Sequence, residues 1–242
     1  MKRNQSGFTL IEIAIVLVII GLLLGGVLKG QELINSAKVK NLATDFRNIP
    51  VFIYGYQDKF KALPGDDANV AAHLGIPPAV KATTPTSSGG NACASNVCTG
   101  NGVIDGLWNS QTSTDESYLF WQHVRLAGLA PGVTAIPGTP AVGDGYHPVN
   151  ATGGEIGIQS NNSTFATITS NAAGTANTGM TGSYVICSQG ILGKFVKQLD
   201  ITLDDGSTDT GSMRVADPAS AGKSIITTSI QDGQAYTVCM GV

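Results

Sequence analysis

The chain has 242 residues, with 14 Lys and Arg against 17 Asp and Glu, and charged residues make up only 13% of it. No cluster of Lys and Arg appears after residue 61, which excludes an extended basic surface, so we expect no nucleic-acid partner. The length fits one domain, alone or with an extended appendage.

The N-terminal segment has two parts. Residues 1–7 form a short, basic and otherwise polar leader, and residues 8–28 are apolar or glycine except for Thr9 and Glu12. In a helix, such a run of residues covers about 31 Å, which is enough to cross a bilayer core. The run is longer than the apolar core of a secretory signal peptide, and no small-residue cleavage site closes it. It predicts a transmembrane helix over residues 8–30.

Glu12 is the single carboxylate inside this apolar run. A charged side chain in a membrane span costs about 2.5–3.5 kcal/mol on insertion scales. Such a residue is usually functional and has a positively charged partner. The alternative is a protonated Glu12, or one that reaches the interface.

A second helical pattern follows the apolar run without a stop signal before Leu63. Apolar side chains recur at spacings of three and four between polar residues, which predicts an amphipathic helix that packs on a sheet. The helix would run from about residue 8 to 61, with a bend at Pro50 because proline lacks the backbone donor. The apolar positions are Val39, Leu42, Phe46, Ile49, Ile53, Tyr56 and Phe60.

The remaining chain has short, mixed elements. Residues 115–129 and 191–199 have helical spacing, and Asp115 and Gly128 mark the ends of the first. We therefore predict an α+β fold, in which a long N-terminal helix packs on an antiparallel sheet, with long loops. The strand candidates are 155–158, 164–168, 183–187, 224–230 and 235–240.

Residues 7–12, GFTLIE, followed by the apolar run, resemble the processing site of type IV prepilins. The match combines a short basic leader, Gly before the cut, Phe after it, and one Glu in the span. The chain is therefore identified as a member of the type IV pilin-like family. The resemblance implies cleavage of the Gly7–Phe8 bond by prepilin peptidase and methylation of the new N-terminal residue, Phe8. The rest of the chain resembles the family less sharply.

The resemblance also implies a location, partners and roles. The leader would be residues 1–7, the transmembrane and polymerisation helix residues 8–30, and the body residues 31–242, including helix 31–61. The precursor would lie in the bacterial inner membrane, before an assembly ATPase and a platform protein build it into a filament that spans the periplasm or reaches the cell surface. There, the amine of Phe8 would meet Glu12 of its own or of a neighbouring subunit, identical or related.

Three functions fit these features. The first is a structural subunit of a type IV pilus, and the second is a pseudopilin of a type II secretion system. The third, from another class, is a bitopic membrane-anchored receptor or binding protein. We expect no enzyme, since no catalytic motif accompanies the three histidines, and His123 is better explained as a packed or surface residue.

The four cysteines lie in the part that would be exported, without metal-ligand spacing, so disulfides are expected in an oxidising compartment. In type IV pilins a C-terminal disulfide often encloses a surface region. We predict the pairs Cys93–Cys98 and Cys187–Cys239, and joining Cys93 to Cys187 is the alternative to test.

Two acidic groups are candidate calcium sites, although no cofactor is needed for the expected function. Oxygen-bearing side chains near glycine-rich turns are calcium ligands in many proteins, but the same residue types are common turn formers. The first group is Asp66, Asp67, Asn101 and Asp105, and the second is Asp200, Asp204, Asp205 and Asp209.

Three glycines lie within the apolar run, at positions 21, 25 and 26, and a fourth follows it at position 30. Glycine allows close packing of helices in membranes, and it also weakens a helix by about 1 kcal/mol relative to alanine. Both alternatives stay open: close packing, or local unwinding of residues 21–30 on assembly.

Overall fold

The computed structural model describes residues 9–75, 79–82, 99–161, 168–171, 180–220 and 222–242. Contacts divide the chain between Lys38 and Val39 into two units. The first unit contains the beginning of helix α1, Leu10–Phe60, and the second contains the rest of α1 and all other elements. The long N-terminal helix expected from the sequence is therefore confirmed.

The first part of α1 exposes its apolar side chains, from Leu10 at 88% to Leu28 at 66%. Among the described residues, α1 is the one helix that is long and apolar enough to cross a membrane. Pro50 lies inside α1, and the helix continues on both sides of it. The predicted bend at Pro50 stays a prediction.

The second part of α1 buries one stripe of side chains, as its periodicity predicts. The stripe packs in the main core of the second unit, while Phe60 at the end of the helix is half-buried. The buried side chains are those of Val39, Leu42, Ala43, Phe46, Ile49, Ile53 and Tyr56.

The main sheet has four antiparallel strands in the order β1-β3-β6-β4. This confirms the predicted antiparallel sheet. A separate two-stranded sheet pairs β2 with β5 in parallel. The strands are β1 Ile156–Ser160, β2 Ile168–Ser170, β3 Tyr184–Leu192, β4 Met213–Val215, β5 Gly222–Lys223 and β6 Ala235–Gly241.

Three more α-helices belong to the second unit: α2 Val70–Leu74, α3 Glu116–Leu126 and α4 Gly193–Leu203. Helix α3 lies within the predicted 115–129 and follows Asp115 at the N-cap position. The helical spacing of 191–199 belongs partly to a strand, because β3 continues to Leu192, which pairs with Ala235.

The strand predicted at 224–230 is wrong. The segment leaves the sheet after Ile225 and forms a short 3-10 helix, Thr227–Ser229. Side-chain hydroxyls form hydrogen bonds with backbone groups there. Thr208 Oγ1 donates to the Ile225 carbonyl at 2.6 Å, and Thr227 Oγ1 accepts from the Thr208 N–H. These bonds compete with pairing of the segment as a regular strand.

Both faces of the main sheet are buried, and successive residues of its strands contribute to opposite faces. Ile186 and Val238 join the main core with α1, α3 and α4, whereas Cys187 and Cys239 join a smaller cluster on the other face. That cluster includes Trp108, which is 7% exposed.

The outer edge of β1 is occupied by loops. Ile156 N–H donates to the Pro148 carbonyl at 2.9 Å, and Ser160 N–H donates to the Ile104 carbonyl at 3.2 Å. A side chain at Gly157 would overlap the Trp108 carbonyl, so the covering loop lies directly against the strand.

Cys187 and Cys239 lie opposite each other in the pairing of β3 with β6 and form a disulfide. Both are fully buried. The structure thus contains the second predicted pair. Cys93 and Cys98 lie outside the described residues, so their pairing stays a prediction.

Candidate functional site: the start of helix α1 and an acidic cluster

Glu12 lies in the first turn of α1 and is bonded to Thr9. Thr9 donates to Glu12 Oε2 from its backbone N–H at 2.8 Å and from its hydroxyl at 2.7 Å. Glu12 N–H lies 3.4 Å from Thr9 Oγ1, which completes a reciprocal capping arrangement. The bonds hold the carboxylate back toward the N-terminal end of the helix, where a negative charge is favoured by the helix dipole.

This orientation places the charge of Glu12 next to the segment that the sequence identifies as the processing site. Gly7 and Phe8 lie outside the described residues, and their processing stays a prediction. The roles of Phe8 and Glu12 in assembly stay predictions too. Thr9, which the sequence analysis did not single out, positions Glu12; the Thr-x-x-Glu spacing was the signal for it.

The glycines of the apolar run have no packing role within the described chain. A Cβ added at Gly21, Gly25, Gly26 or Gly30 would meet nothing within 4 Å. Helix packing and local unwinding both remain predictions.

The first acidic group lies after the end of α1. Asp66 is 3% exposed and accepts three consecutive backbone N–H bonds, from Gly100, Asn101 and Gly102. The loop that begins at Thr99 thus wraps around the carboxylate. Such bonds favour the charged form of an acid, although burial is the larger effect here and raises the pKa of Asp66.

Glu116, the first residue of α3, completes this cluster. It is fully buried, and its Oε2 accepts the Asp105 N–H at 2.9 Å. Burial, followed by smaller effects of neighbouring acids, raises the pKa of Glu116 to about 10. The nearby charge of Asp66 also raises the pKa of Glu116, so the protonated form of Glu116 is favoured at neutral pH.

The predicted calcium residues are only partly brought together. Asn101 Nδ2 donates to Asp105 Oδ2 at 3.3 Å, and both lie beside Asp66. Asp67 faces other partners, accepting from the Tyr56 hydroxyl at 2.7 Å and lying 2.6 Å from His73 Nδ1. Within the described ranges, no three His, Cys, Asp or Glu side chains are placed to hold a metal ion. Calcium binding stays a prediction.

Sequence reasoning missed Glu116 because nothing in its neighbourhood distinguishes it from an ordinary first-turn acid. The backbone of Gly65 lies against the backbone carbonyl of Glu116, at the start of α3. A cavity of about 700 Å³ opens beside this cluster, and Phe60, His73 and Tyr184 are among the residues that line it.

The second acidic group divides between helix α4, which contains Asp200, and the turns that follow it. Asp204 Oδ2 accepts the Met213 N–H at 2.7 Å, and Asp205 accepts from Ser207 N–H and Thr210 Oγ1 at 2.9 Å each. Asp200 is fully buried, which raises its pKa to about 6. The bonds of Asp204 and Asp205 agree with the alternative that these residues are turn formers.

His123 is a packed residue. Its Nδ1 accepts the Gly65 N–H at 2.9 Å, and its Nε2 donates to the Val80 carbonyl at 2.7 Å. Burial lowers the pKa of His123, so the ring is neutral and joins the end of α1 to α3.

Residues 2–28 match the family model of the prokaryotic N-terminal methylation motif. This is the prepilin-type cleavage and methylation segment of type IV pilins and pseudopilins. The match ends at Leu28, before the second unit of the structure begins. No curated protein and no solved structure matches the chain significantly.

Proposed function

We propose that this protein, which carries a prepilin-type N-terminal segment, is a structural subunit of a type IV pilus. Prepilin peptidase cuts the bond between Gly7 and Phe8, and Phe8 is methylated. The observation that carries the proposal is the methylation-motif match over residues 2–28, at the beginning of a helix whose apolar side chains are exposed.

The exposed side chains require an apolar surrounding before and after assembly. Between Leu10 and Leu28, the large apolar side chains range from 46% to 88% exposed. Burying such a side chain contributes about 1.5–3 kcal/mol relative to leaving it in water. The inner membrane supplies this surrounding for the precursor, and the helices of neighbouring subunits supply it in the filament.

Glu12 gives the assembly its selectivity. Thr9 donates two hydrogen bonds to Glu12 but carries no charge to neutralise it. Cleavage creates a positive amine on Phe8, and pairing this amine with Glu12 of a neighbouring subunit would fix the axial register. A charge left unpaired in the packed apolar interior is strongly unfavourable.

The second unit suits a role outside the cytoplasm. The buried Cys187–Cys239 disulfide fits an oxidising compartment. The assembly ATPase and the inner-membrane platform protein would act on the anchored precursor, so the chain itself needs no catalytic site.

N-terminal analysis of purified surface filaments tests the proposal. The expected result is a subunit that begins with methylated Phe8 in the wild type and in a Ser6→Ala control, and an unprocessed chain without filaments for Gly7→Asp. An intact Met1 in the mature wild-type protein would leave the bitopic receptor as the better alternative. A methylated Phe8 with no surface filaments, but with loss of protein secretion in a deletion strain, would identify a pseudopilin.

A further inference from the structure

A groove runs along the second part of α1, against the segment that follows α3 and leads into β1. It consists of two neighbouring cavities of about 150 and 290 Å³, and Asp45 lines both of them. The first is also lined by Asn48, Ile49, Phe52, Trp121, Ala130, Pro131, Pro148 and Ile156. The second is also lined by Asn41, Thr44, Val149, Asn150 and Ala151.

Asp45 is the one charged side chain in the lining of either cavity. It is half-buried, and burial, with no hydrogen bond or charge to offset it, raises its pKa to about 6. Trp121 is 2% exposed, and its indole Nε1 has no hydrogen-bond partner among the described residues. The groove therefore combines apolar walls with a carboxylate that lacks a cation.

Arg125, next to the groove, does not supply that cation. Its guanidinium lies 5.9 Å from the Trp121 ring, but it donates to the carbonyls of Pro131, Val133 and Tyr146. These bonds occupy the guanidinium of Arg125, and within the described residues no Lys, Arg or His forms an ion pair with Asp45, so it is open to a positive partner on another subunit.

Arg47 carries the positive charge that would complement Asp45. It is exposed, and its guanidinium forms no hydrogen bond or ion pair with any described residue. Residues two apart in a helix point in directions about 200° apart, so Arg47 and Asp45 lie on opposite sides of α1. They cannot pair within one chain.

We propose that Arg47 of one copy of this chain enters the groove of a neighbouring copy and pairs with its Asp45. A flat guanidinium suits this groove, because it can lie on the partly exposed ring of Phe52 while it binds the Asp45 carboxylate with two N–H groups. The two halves of the contact lie on different sides of the subunit. Such a heterologous contact leaves an open partner at each end and builds a helical polymer.

This proposal rests on the proposed function, since it requires that the chain polymerises. A charge-swap series in the full-length protein tests it, with filament yield as the readout. Asp45→Arg and Arg47→Asp are each expected to lower the yield by about tenfold or more, because each leaves a charge unpaired in the contact. The double swap, Asp45→Arg with Arg47→Asp, is expected to restore filaments, since every copy then carries the reversed pair.

Lys40→Asp is the matched control, because it makes the same charge change seven residues earlier, on the same side of α1 as Arg47. It is expected to leave the yield near that of the wild type. The proposal is overturned if Arg47→Asp assembles normally, if Lys40→Asp is the variant that fails, or if the double swap accumulates in the membrane without filaments.

A crosslinking experiment tests the same contact if the charge-swap variants fail to accumulate. A chain with Asp45→Cys and Arg47→Cys is expected to form a ladder of covalent multimers in oxidised filaments, since the two thiols cannot meet within one helix. Asp45→Cys paired with Lys40→Cys is expected to give none. Filaments without a ladder in the first variant contradict the contact, whereas absence of filaments from wild-type cells contradicts the proposed function itself.

Discussion

Glu116 and Asp66 are two buried carboxyl groups that accept backbone N–H bonds from one loop, residues 100–105. Burial raises the pKa of Glu116 to about 10, while Asp66 accepts backbone N–H bonds from three consecutive residues. The pair joins the turn after α1 to the start of α3. The pair makes the free energy of unfolding depend on pH, because Glu116 has to take up a proton when the chain folds at neutral pH.

Glu116→Gln is expected to stabilise the protein above about pH 6 and to flatten its pH dependence. The folded pKa of Glu116 lies above the unfolded value of 4.5, so its contribution is complete below that value and is lost as pH rises toward 10. The loss from this group alone is about 1.4 kcal/mol per pH unit. Raised pKa values of Asp66 and Asp105 act in the same direction.

Urea unfolding of the full-length protein in detergent at pH 5 and pH 8 measures this effect. Glutamine has nearly the same shape and keeps an oxygen that can accept the Asp105 N–H. Asp58→Asn, an exchange at an exposed residue, is the control and is expected to keep the wild-type pH dependence. An equal loss of stability between pH 5 and pH 8 in the wild type and in Glu116→Gln would show that Glu116 is not the titrating group.

Gly65→Ala is expected to destabilise the second unit by more than the backbone conformation alone requires. Gly65 has φ +91°, and a Cβ there would overlap the carbonyl oxygen of Glu116. Gly75 has φ +84° with nothing within 4 Å, so Gly75→Ala isolates the cost of the left-handed backbone. That cost is about 1–2 kcal/mol, and overpacking adds about 1–3 kcal/mol at Gly65. Thermal unfolding of both variants would show equal shifts if the close approach to Glu116 were wrong.

Replacing both Cys187 and Cys239 by alanine is expected to lower the free energy of unfolding by about 4 kcal/mol on the chain-entropy model. The disulfide connects positions 52 residues apart, and it restricts the unfolded chain accordingly. The measurement is urea unfolding with and without reductant. The two conditions should differ strongly for the wild type and much less for the variant. A variant as stable as the oxidised wild type would contradict a stabilising role for the bond.

Glu12→Gln is expected to leave processing intact and to prevent assembly. The leader lies before the helix, so the peptidase still has its Gly7–Phe8 bond, whereas the neutral amide no longer attracts the new amine. Mass spectrometry of the membrane fraction should show a mature chain, and electron microscopy should show at least about tenfold fewer filaments, as for loss of one partner of a buried ion pair.

Glu32→Gln is the matched control for Glu12. Glu32 is exposed and pairs with Lys29 in the same helix, so its neutralisation costs little. Normal filament numbers with Glu12→Gln would mean that register is set elsewhere along α1.

Periodicity alone was enough to predict helix α1. Its stripe from Val39 to Tyr56 repeats over several turns, and a long regular pattern outweighs local exceptions such as Pro50. Helix α3 was equally predictable, because Asp115 and Gly128 mark its ends.

The failures lie where tertiary contacts decide local structure. The β-rich composition of 224–230 favours a strand, but the hydroxyl of Thr208 and that of Thr227 bind backbone groups that a strand would use. Asp67 was grouped with Asp66 because both are oxygen-bearing residues near a glycine-rich turn. The chain turns between them, and each carboxylate meets a different part of the fold.

The covered edge of β1 affects how neighbouring copies of the body can associate. In a filament, many identical bodies lie side by side, and an open strand edge on each would invite sheet-to-sheet fusion. Two outer N–H groups of β1, those of Ile156 and Ser160, are already bonded to the carbonyls of Pro148 and Ile104, so this edge is partly closed to a second strand. In the proposed filament, that cover disfavours edge-to-edge association of the bodies at β1.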